Sequence, residues 1–315
     1  MLYWLWLSLR SRSLVFFSAS NPGIPMGGMF GESKYDVLKK IPPRYVPETL
    51  LLSPPVPVGE VMRRLEAARM KLPLIFKPDI GERGYLVKRI NNEQDIEEYL
   101  RKIRGNFMVQ ELVQLPLEFG VFYMRIPTQE TGQVTSVAAK EMLSVTGNGS
   151  SSLQELIREN DRAKLQWRKL KEVYLSRLSR VIPEGEKIEL VSIGNHSMGT
   201  RFINGNHLIN DDLSRTFDTI ASKIPGFYFG RFDLRCASVD DLYRGHVKIM
   251  ELNGCGAEPA HIYDPEFSLG KALTVLHGHW NDIFQISRAN KQRGMDYVSH
   301  KEAFQYYRKF KSAVK

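Results

Sequence analysis

Cysteine is nearly absent from this chain: of its 315 residues only Cys236 and Cys255 carry a thiol. The two stand far apart and outside any Cys-x-x-Cys spacing, which excludes a disulfide framework and a cysteine zinc site. A reducing compartment follows, and the expected location is the cytoplasm. The Walker A pattern and the dinucleotide G-x-G-x-x-G pattern are both missing, so the commonest phosphate-binding loops are out. No aromatic-rich RNP signature, zinc-finger spacing or paired basic helix is present, and sequence-specific nucleic-acid binding is not expected. No internal repeat is visible. Long apolar runs are also lacking: Met1 to Phe17 is rich in Trp, Leu and Phe, but Arg10 and Arg12 divide it into stretches too short to cross a bilayer. Its longest apolar run precedes the arginines, the reverse of a secretory signal. A folded helix is expected there, with weak membrane-surface contact as the other use of aromatic residues beside arginine.

What the chain does have is a globular balance of 43% apolar and 25% charged residues, enough to bury a core in two small domains or one two-lobed domain. The formal charge of +9 suits polyphosphate or carboxylate substrates as well as it suits a polyanion. Much of the excess lies in the tail from Lys291 to Lys315, where seven Lys or Arg face only Asp296 and Glu302. That pattern reads as a solvated amphipathic helix.

Periodicity and punctuation outline the elements. Asn21 to Glu32, dense in Gly, Pro and Met, reads as loop, and Ser33 can cap a short helix through Leu38. Thr49 to Leu52 is a strand candidate, Val58 to Met70 a helix, and Leu74 to Lys77 a strand running into Pro78 and the turn Gly81-Glu82-Arg83-Gly84. Tyr85 to Ile90 returns as a strand. Gln94 to Arg104 has the acidic start and basic end of a helix, and Phe107 to Val113 is the next strand. Phe119 to Ile126 and Val134 to Ala139 read as an antiparallel pair. Ser152 to Leu178 reads as helix interrupted near Asn160; Glu189 to Ile193, Phe227 to Leu234 and Val247 to Leu252 as strands; Ser268 to Ser287 as an amphipathic helix. This alternation indicates an α/β or α+β protein.

Three stretches could carry chemistry. In Arg231-Phe232-Asp233 and Glu251-Leu252-Asn253 the outer residues of each triplet share a strand face. Two carboxylates and an amide oxygen on one cleft suit Mg2+ bridging phosphates, and the guanidinium suits a developing anion. The competing reading is an ordinary cross-strand salt bridge. Lys77, at a strand end before a glycine-containing turn, could place a cation and backbone N–H groups on phosphate oxygens. In Met108 to Val121, reading MVQELVQLPLEFGV, a linker between strands carries Glu111 and Glu118, which suit an adenine edge and ribose hydroxyls.

In this order the pieces resemble ATP-grasp ligases, from about Ser33 to Asn290. The pattern is similar to D-alanine:D-alanine ligases and related carboxylate-amine ligases. The resemblance implies an ATP-grasp fold of two α+β lobes clasping ATP. Ser33-Lys34 with Val46-Pro47-Glu48-Thr49 looks like the lysine that opens the fold. Lys77 would contact phosphate; Gly81, Arg83 and Gly84 would form the phosphate lid. Glu111 with the backbone of Leu112 and Val113 would read adenine, and Glu118 would hold ribose. Lys140, in Ala138-Ala139-Lys140, would be a further phosphate lysine. Asp233, Glu251 and Asn253 would hold Mg2+, with Mn2+ as an alternative ion, and Arg231 and Lys140 would act in catalysis. Val145 to Gly149 with Ser152 to Leu156, and Ile193-Gly194-Asn195-His196 with Gly199-Thr200, resemble cyanophycin synthetase and glutamate ligases; acceptor and carboxylate pockets are assigned to them. Only the segment before Lys34 stands where D-alanine ligases have a domain, so a truncated pre-grasp segment is expected. Asn253-Gly254-Cys255-Gly256 also departs from the family's Asn-Thr-x-Pro-Gly. Ala257 to Pro265 is expected to border the substrate pocket.

The implied organisation is an N-terminal segment at 1–50, an N-lobe at 51–115, a C-lobe with the metal site at 116–290 and a basic tail at 291–315. The implied activity is ATP-dependent condensation of a small-molecule carboxylate with an amine through an acyl phosphate. Its rivals are an ATP-grasp phosphotransferase acting on a hydroxyl or nitrogen and a non-catalytic ATP-binding partner protein. A homodimer remains open.

Overall fold

The computed structural model of the protein describes residues 2–81, 84–191 and 199–314. The chain divides into two compact units, Met1–Ala139 with Asn204–Lys315, and Lys140–Ile203. The architecture is α+β, and its sheets are antiparallel.

In chain order the strands are β1 (Thr49–Leu52), β2 (Leu74–Pro78), β3 (Lys88–Ile90), β4 (Phe107–Glu111), β5 (Leu117–Met124), β6 (Gln133–Glu141), β7 (Ser144–Thr146), β8 (Lys187–Glu189), β9 (Arg201–Asn204), β10 (Phe229–Cys236) and β11 (Val247–Asn253). The helices are α1 (Leu2–Ser11), α2 (Lys34–Leu38), α3 (Val58–Ala67), α4 (Glu93–Lys102), α5 (Leu153–Glu159), α6 (Trp167–Val173), α7 (Asp211–Ala221), α8 (Val239–Arg244), α9 (Leu269–Gln292) and α10 (His300–Val314).

In the larger unit one sheet runs β1-β4-β2-β3. Its apolar face, with Phe76, Phe107 and Val109, packs on α3 and α4 through Val61, Leu65, Ile96 and Tyr99. Helix α4 is well specified: Asn92 caps its start by accepting from the Asp95 N–H, with Glu93 in the first turn and Arg101 and Lys102 in the last. The strand expected from Tyr85 begins only at Lys88, because 84–86 form a turn with Gly84 and Leu86 at positive φ.

A second sheet carries β11, β10, β5 and β6 side by side. Phe119, Val121, Phe232, Leu234 and Ile249 on one face form a core with Phe217 and Ile220 of α7. That helix was not read from the sequence, although Asn210 caps it and Asp211 and Asp212 open it. On the other face Phe122 and Phe229 belong to an aromatic core that includes Leu7 and Phe16 near the N-terminus and Ile283 and Phe284 of α9. The aromatic N-terminal stretch therefore folds, as α1 followed by a 3-10 turn at Phe16–Ala19.

The loop Asn21 to Glu32 is partly buried, and Asn21 is the reason. Its Nδ2 donates to the Gly27 and Phe229 carbonyls at 2.9 and 2.8 Å, and its Oδ1 accepts from the Tyr228 and Phe229 N–H groups at 2.8 and 2.9 Å. The loop then lies on the turn after β11, where Cys255 N donates to Gly27 O and Gly256 N to Gly28 O. A Cβ on Gly28 would stand 2.7 Å from the Gly254 Cα, so this approach requires glycine.

The smaller unit encloses its own core of Leu143, Val145, Leu153, Ile157, Leu170 and Ile182. The stretch from Ser152 is broken as expected, with α5 ending at Glu159 before the extended Asn160 and α6 starting at Trp167. No helix of the described residues is long and apolar enough to cross a membrane.

Candidate active site

Strand β10 sorts its residues by parity. Phe232, Leu234 and Cys236 are fully buried in the core, and Arg231, Asp233 and Arg235 take the opposite face. The antiparallel register sets Phe122, Gly120 and Glu118 of β5 on one side of these three, and Asn253, Glu251 and Lys248 of β11 on the other. Between Asp233 and Leu234 the pairing with β11 slips by one residue, so Met250 is the extra residue of a β-bulge. The bulge keeps Lys248 on the same face as Glu251.

Asp233 thus stands directly opposite Glu251, a like-charge pair that is unfavourable without compensation. The neighbours supply it. Arg231 lies along Asp233, with Nη2 at 3.0 Å from Oδ2 and Nε at 3.2 Å from Oδ1, and Asn253 Nδ2 donates to Asp233 Oδ2 at 2.9 Å. Lys34 Nζ stands 3.4 Å from Glu251 Oε1. Burial favours a protonated Glu251, but Lys34 and Lys77 outweigh it and hold the carboxyl below the usual range. For Arg231 burial opposes the charge, and Asp233 more than restores it. A Cβ on Gly120 would meet Arg231 Cδ at 3.1 Å and Asp233 Oδ1 at 3.3 Å, so glycine leaves the space in which this pair lies.

The first sheet and helix α2 deliver one lysine each. Lys77, on β2, is buried and donates to Gln110 Oε1 at 3.0 Å and to the carbonyl of the bulged Met250 at 3.1 Å. Burial pushes its ammonium down to about 8, against the pull of Glu251. Lys34 is the first residue of α2, whose start is fixed twice. Ser33 Oγ accepts from the Asp36 N–H, and the buried Asp79 accepts from Ser33 Oγ at 2.9 Å and from the Tyr35 N–H at 3.0 Å. Lys34 Nζ also donates to the Gly81 carbonyl. Asp79 and Gln110 were not singled out in the sequence, where Asp79 looks like an ordinary polar residue after a strand and Gln110 like one within a strand.

Gly81 follows β2, Gly84 opens the turn 84–86, and Arg83 lies outside the described residues. Glu111 ends β4, exposed, and Leu112 is half-buried. Glu118 is buried and accepts from Arg235 Nε at 2.8 Å, while Arg235 Nη1 donates to the Val113 carbonyl at 3.2 Å. Arg235, also missed, continues the parity of Arg231 and Asp233 and could have been found from it. Lys140, near the end of β6, belongs to the smaller unit, where its Nζ lies 6.0 Å from the Phe202 ring. In the same unit Ser152 and Glu155 form a reciprocal capping box and Asn148 Oδ1 accepts from the Ser150 and Ser151 N–H groups, which is turn and cap chemistry. The motif Ile193 to His196 lies outside the described residues. Within Ala257 to Pro265, the Glu258 carbonyl accepts from Arg231 Nη1 at 2.9 Å, so this segment borders the site.

Among the described residues no three His, Cys, Asp or Glu side chains group as metal ligands. The site instead offers two carboxylates and an amide, an all-oxygen set of the kind a hard divalent cation takes. The opposed Asp233 and Glu251 fit such an ion, because a dication would relieve the repulsion that Arg231 and Lys34 now relieve.

No protein-family profile matches the chain, and no curated protein sequence matches it. Among solved structures, VanG D-Ala:D-Ser ligase from Enterococcus faecalis aligns at 13% identity over 83% of this chain and 62% of its own, with a TM-score of 0.46. The D-alanine–D-alanine ligase from Bacillus anthracis aligns at 10% identity over 83% and 68%, with a TM-score of 0.45. That from Coxiella burnetii aligns at 11% identity over 86% and 62%, with a TM-score of 0.46. The chain thus spans less than two thirds of the first and third of these proteins.

Proposed function

We propose that the protein is an ATP-grasp enzyme that uses ATP to activate a small-molecule carboxylate and joins it to an amine, releasing ADP and phosphate. The observation that supports this reading is the meeting of Lys34 from α2 and Lys77 from β2 with Arg231, Asp233, Glu251 and Asn253 of the second sheet. Three cations beside two carboxylates and an amide oxygen suit a triphosphate and a divalent ion together better than either alone.

In this reading Lys34 and Lys77 bind phosphate oxygens as point charges, and Lys77 is held for the task by Gln110 and the Met250 carbonyl. Asp233, Glu251 and Asn253 would hold magnesium, which neutralises phosphate charge and orients the group in transfer. Arg231 sits between that set and the Glu258 carbonyl, where its remaining N–H groups can stabilise the oxyanion as an amine adds to the activated carboxyl carbon. Lys140 and the segment from Gly81 to Gly84 are assigned to phosphate contact on the sequence resemblance alone.

Asp233→Ala and Glu251→Ala should each lower amine-dependent ADP release, measured over a panel of amino acids, by at least about a hundredfold with unchanged circular dichroism. Retained turnover in both variants would refute the assignment. A product heavier by one phosphate, with no condensation, would move the reading to a phosphotransferase.

A further inference from the structure

Helix α1 turns two faces outward and inward with different chemistry. Inward, Leu7 is fully buried and Trp4 packs on Phe16 and Trp280 with ring centroids 4.9 and 5.8 Å apart. Outward, Leu2, Leu5, Trp6 and Leu9 are 85%, 48%, 46% and 77% exposed, and their spacing of three and four residues places them on one stripe. Four large apolar side chains together in water are not the scattered exposure of an ordinary surface. The neighbouring helix adds to the stripe. Tyr3 meets His277 of α9 at 5.0 Å, and one and two turns before His277 stand Leu273 and Leu269, 50% and 76% exposed.

Charge says what covers this face. The first acidic residue of the chain is Glu32, so α1 and the segment after it carry Arg10 and Arg12 with no carboxylate among them. Arg10 lies at the edge of the stripe, its guanidinium 4.7 Å from the centre of the Trp6 ring. Nearby on the same aromatic core, α10 presents Lys301, Arg308, Lys309 and Lys311 against a single acid, Glu302, and exposes Phe304 and Tyr307. These exposed cations call for an anionic surface opposite them. A surface with an apolar interior and anionic headgroups satisfies leucines, tryptophan and arginines at once.

We propose that α1 docks the protein on the surface of an anionic lipid bilayer, its Leu2, Leu5, Trp6 and Leu9 stripe lying in the headgroup region with Arg10 at its edge. The contact is peripheral and independent of the nucleotide site, so its test does not require activity.

The test is co-sedimentation of the full chain with phosphatidylcholine vesicles and with vesicles of phosphatidylcholine and phosphatidylglycerol. Binding to the anionic vesicles, falling as salt is raised, and little binding to the neutral ones is expected. The double variant Leu5→Glu with Leu9→Glu should bind at least about tenfold more weakly with an unchanged thermal midpoint. Should it fail to fold, Leu9→Ser alone, at a side chain already in water, should still weaken binding. No binding to anionic vesicles, or equal binding by the variants, overturns the proposal. A dimer in sedimentation equilibrium that the Leu5 and Leu9 changes dissociate, with vesicles ignored, overturns it in favour of a second copy of the chain.

Discussion

Asn21 makes four hydrogen bonds to main chain while wholly buried, so it acts as a short piece of secondary structure tying the N-terminal loop to β10. Asn21→Ala would strand two donors and two acceptors without water. A loss of about 2–4 kcal/mol in unfolding free energy is expected in urea titration. In the sequence this residue is only an Asn before Pro22 in a loop-forming stretch, and nothing local marks it, because its partners at Tyr228 and Phe229 are long-range. His279 is a second residue whose role lies in its packing. It is wedged against Phe122 and Phe229 with ring centroids 4.7 and 4.6 Å away, and burial pulls its imidazole down to about 4. The folded state thus prefers the neutral ring, and the unfolded chain takes up the proton first as the solution is acidified. The stability from this group is complete above about pH 6.5, and up to about 3 kcal/mol is lost as pH falls towards 4. His279→Phe should keep the ring packing and flatten part of the acid limb of a plot of melting temperature against pH. A slope identical to wild type between pH 6.5 and 4 would contradict this.

At the scale of elements, alternation made the central strands readable. Arg231 and Asp233 on one parity and Phe232 and Leu234 on the other specify β10, and the same rule places Glu251 with Asn253. Short-range signals also survived: Ser33 caps α2, and the expected strands Thr49 to Leu52 and Val134 to Ala139 lie within one or two residues of β1 and β6. The reading failed where an element is defined by its neighbours. Helix α7 was missed although Asn210 caps it and Leu213, Phe217 and Ile220 carry helical spacing, and β3 is shortened by a turn that only its positive-φ residues reveal. Asp79 joins two elements, since it follows β2 yet receives the first N–H groups of α2. Asp79→Ala should free Lys34 from its place beside Glu251 and weaken binding of ATP by about tenfold or more in calorimetry, while the α3–α4 side of the sheet stays folded. Gly120→Ala would push Arg231 and Asp233 off the sheet by a few tenths of an ångström, and it should lower kcat more than it lowers stability.

For the whole molecule, the two cysteines report on two different cores. Cys236 belongs to the core under α7 and Cys255 to the aromatic core under α1 and α9, and burial pushes their thiols up to about 11 and about 12. Neither should react with a thiol reagent in the native protein over minutes. If the cores open as one cooperative unit, both should be labelled at one urea midpoint; two separate midpoints would show that they open independently. The two sheets of the larger unit meet at the main-chain oxygen of Met250, which serves Lys77 and lies 3.4 Å from Gln110 Nε2, and through Met108 of β4, which packs in the core under α7. Met250 is a surplus residue: without it, Lys248, Ile249, Glu251, Leu252 and Asn253 would alternate without a break opposite Arg235, Leu234, Asp233, Phe232 and Arg231. Excising that one codon would therefore leave every proposed ligand facing the same way on a more regular ladder, and would take from Lys77 one of its two anchors while Gln110 stays.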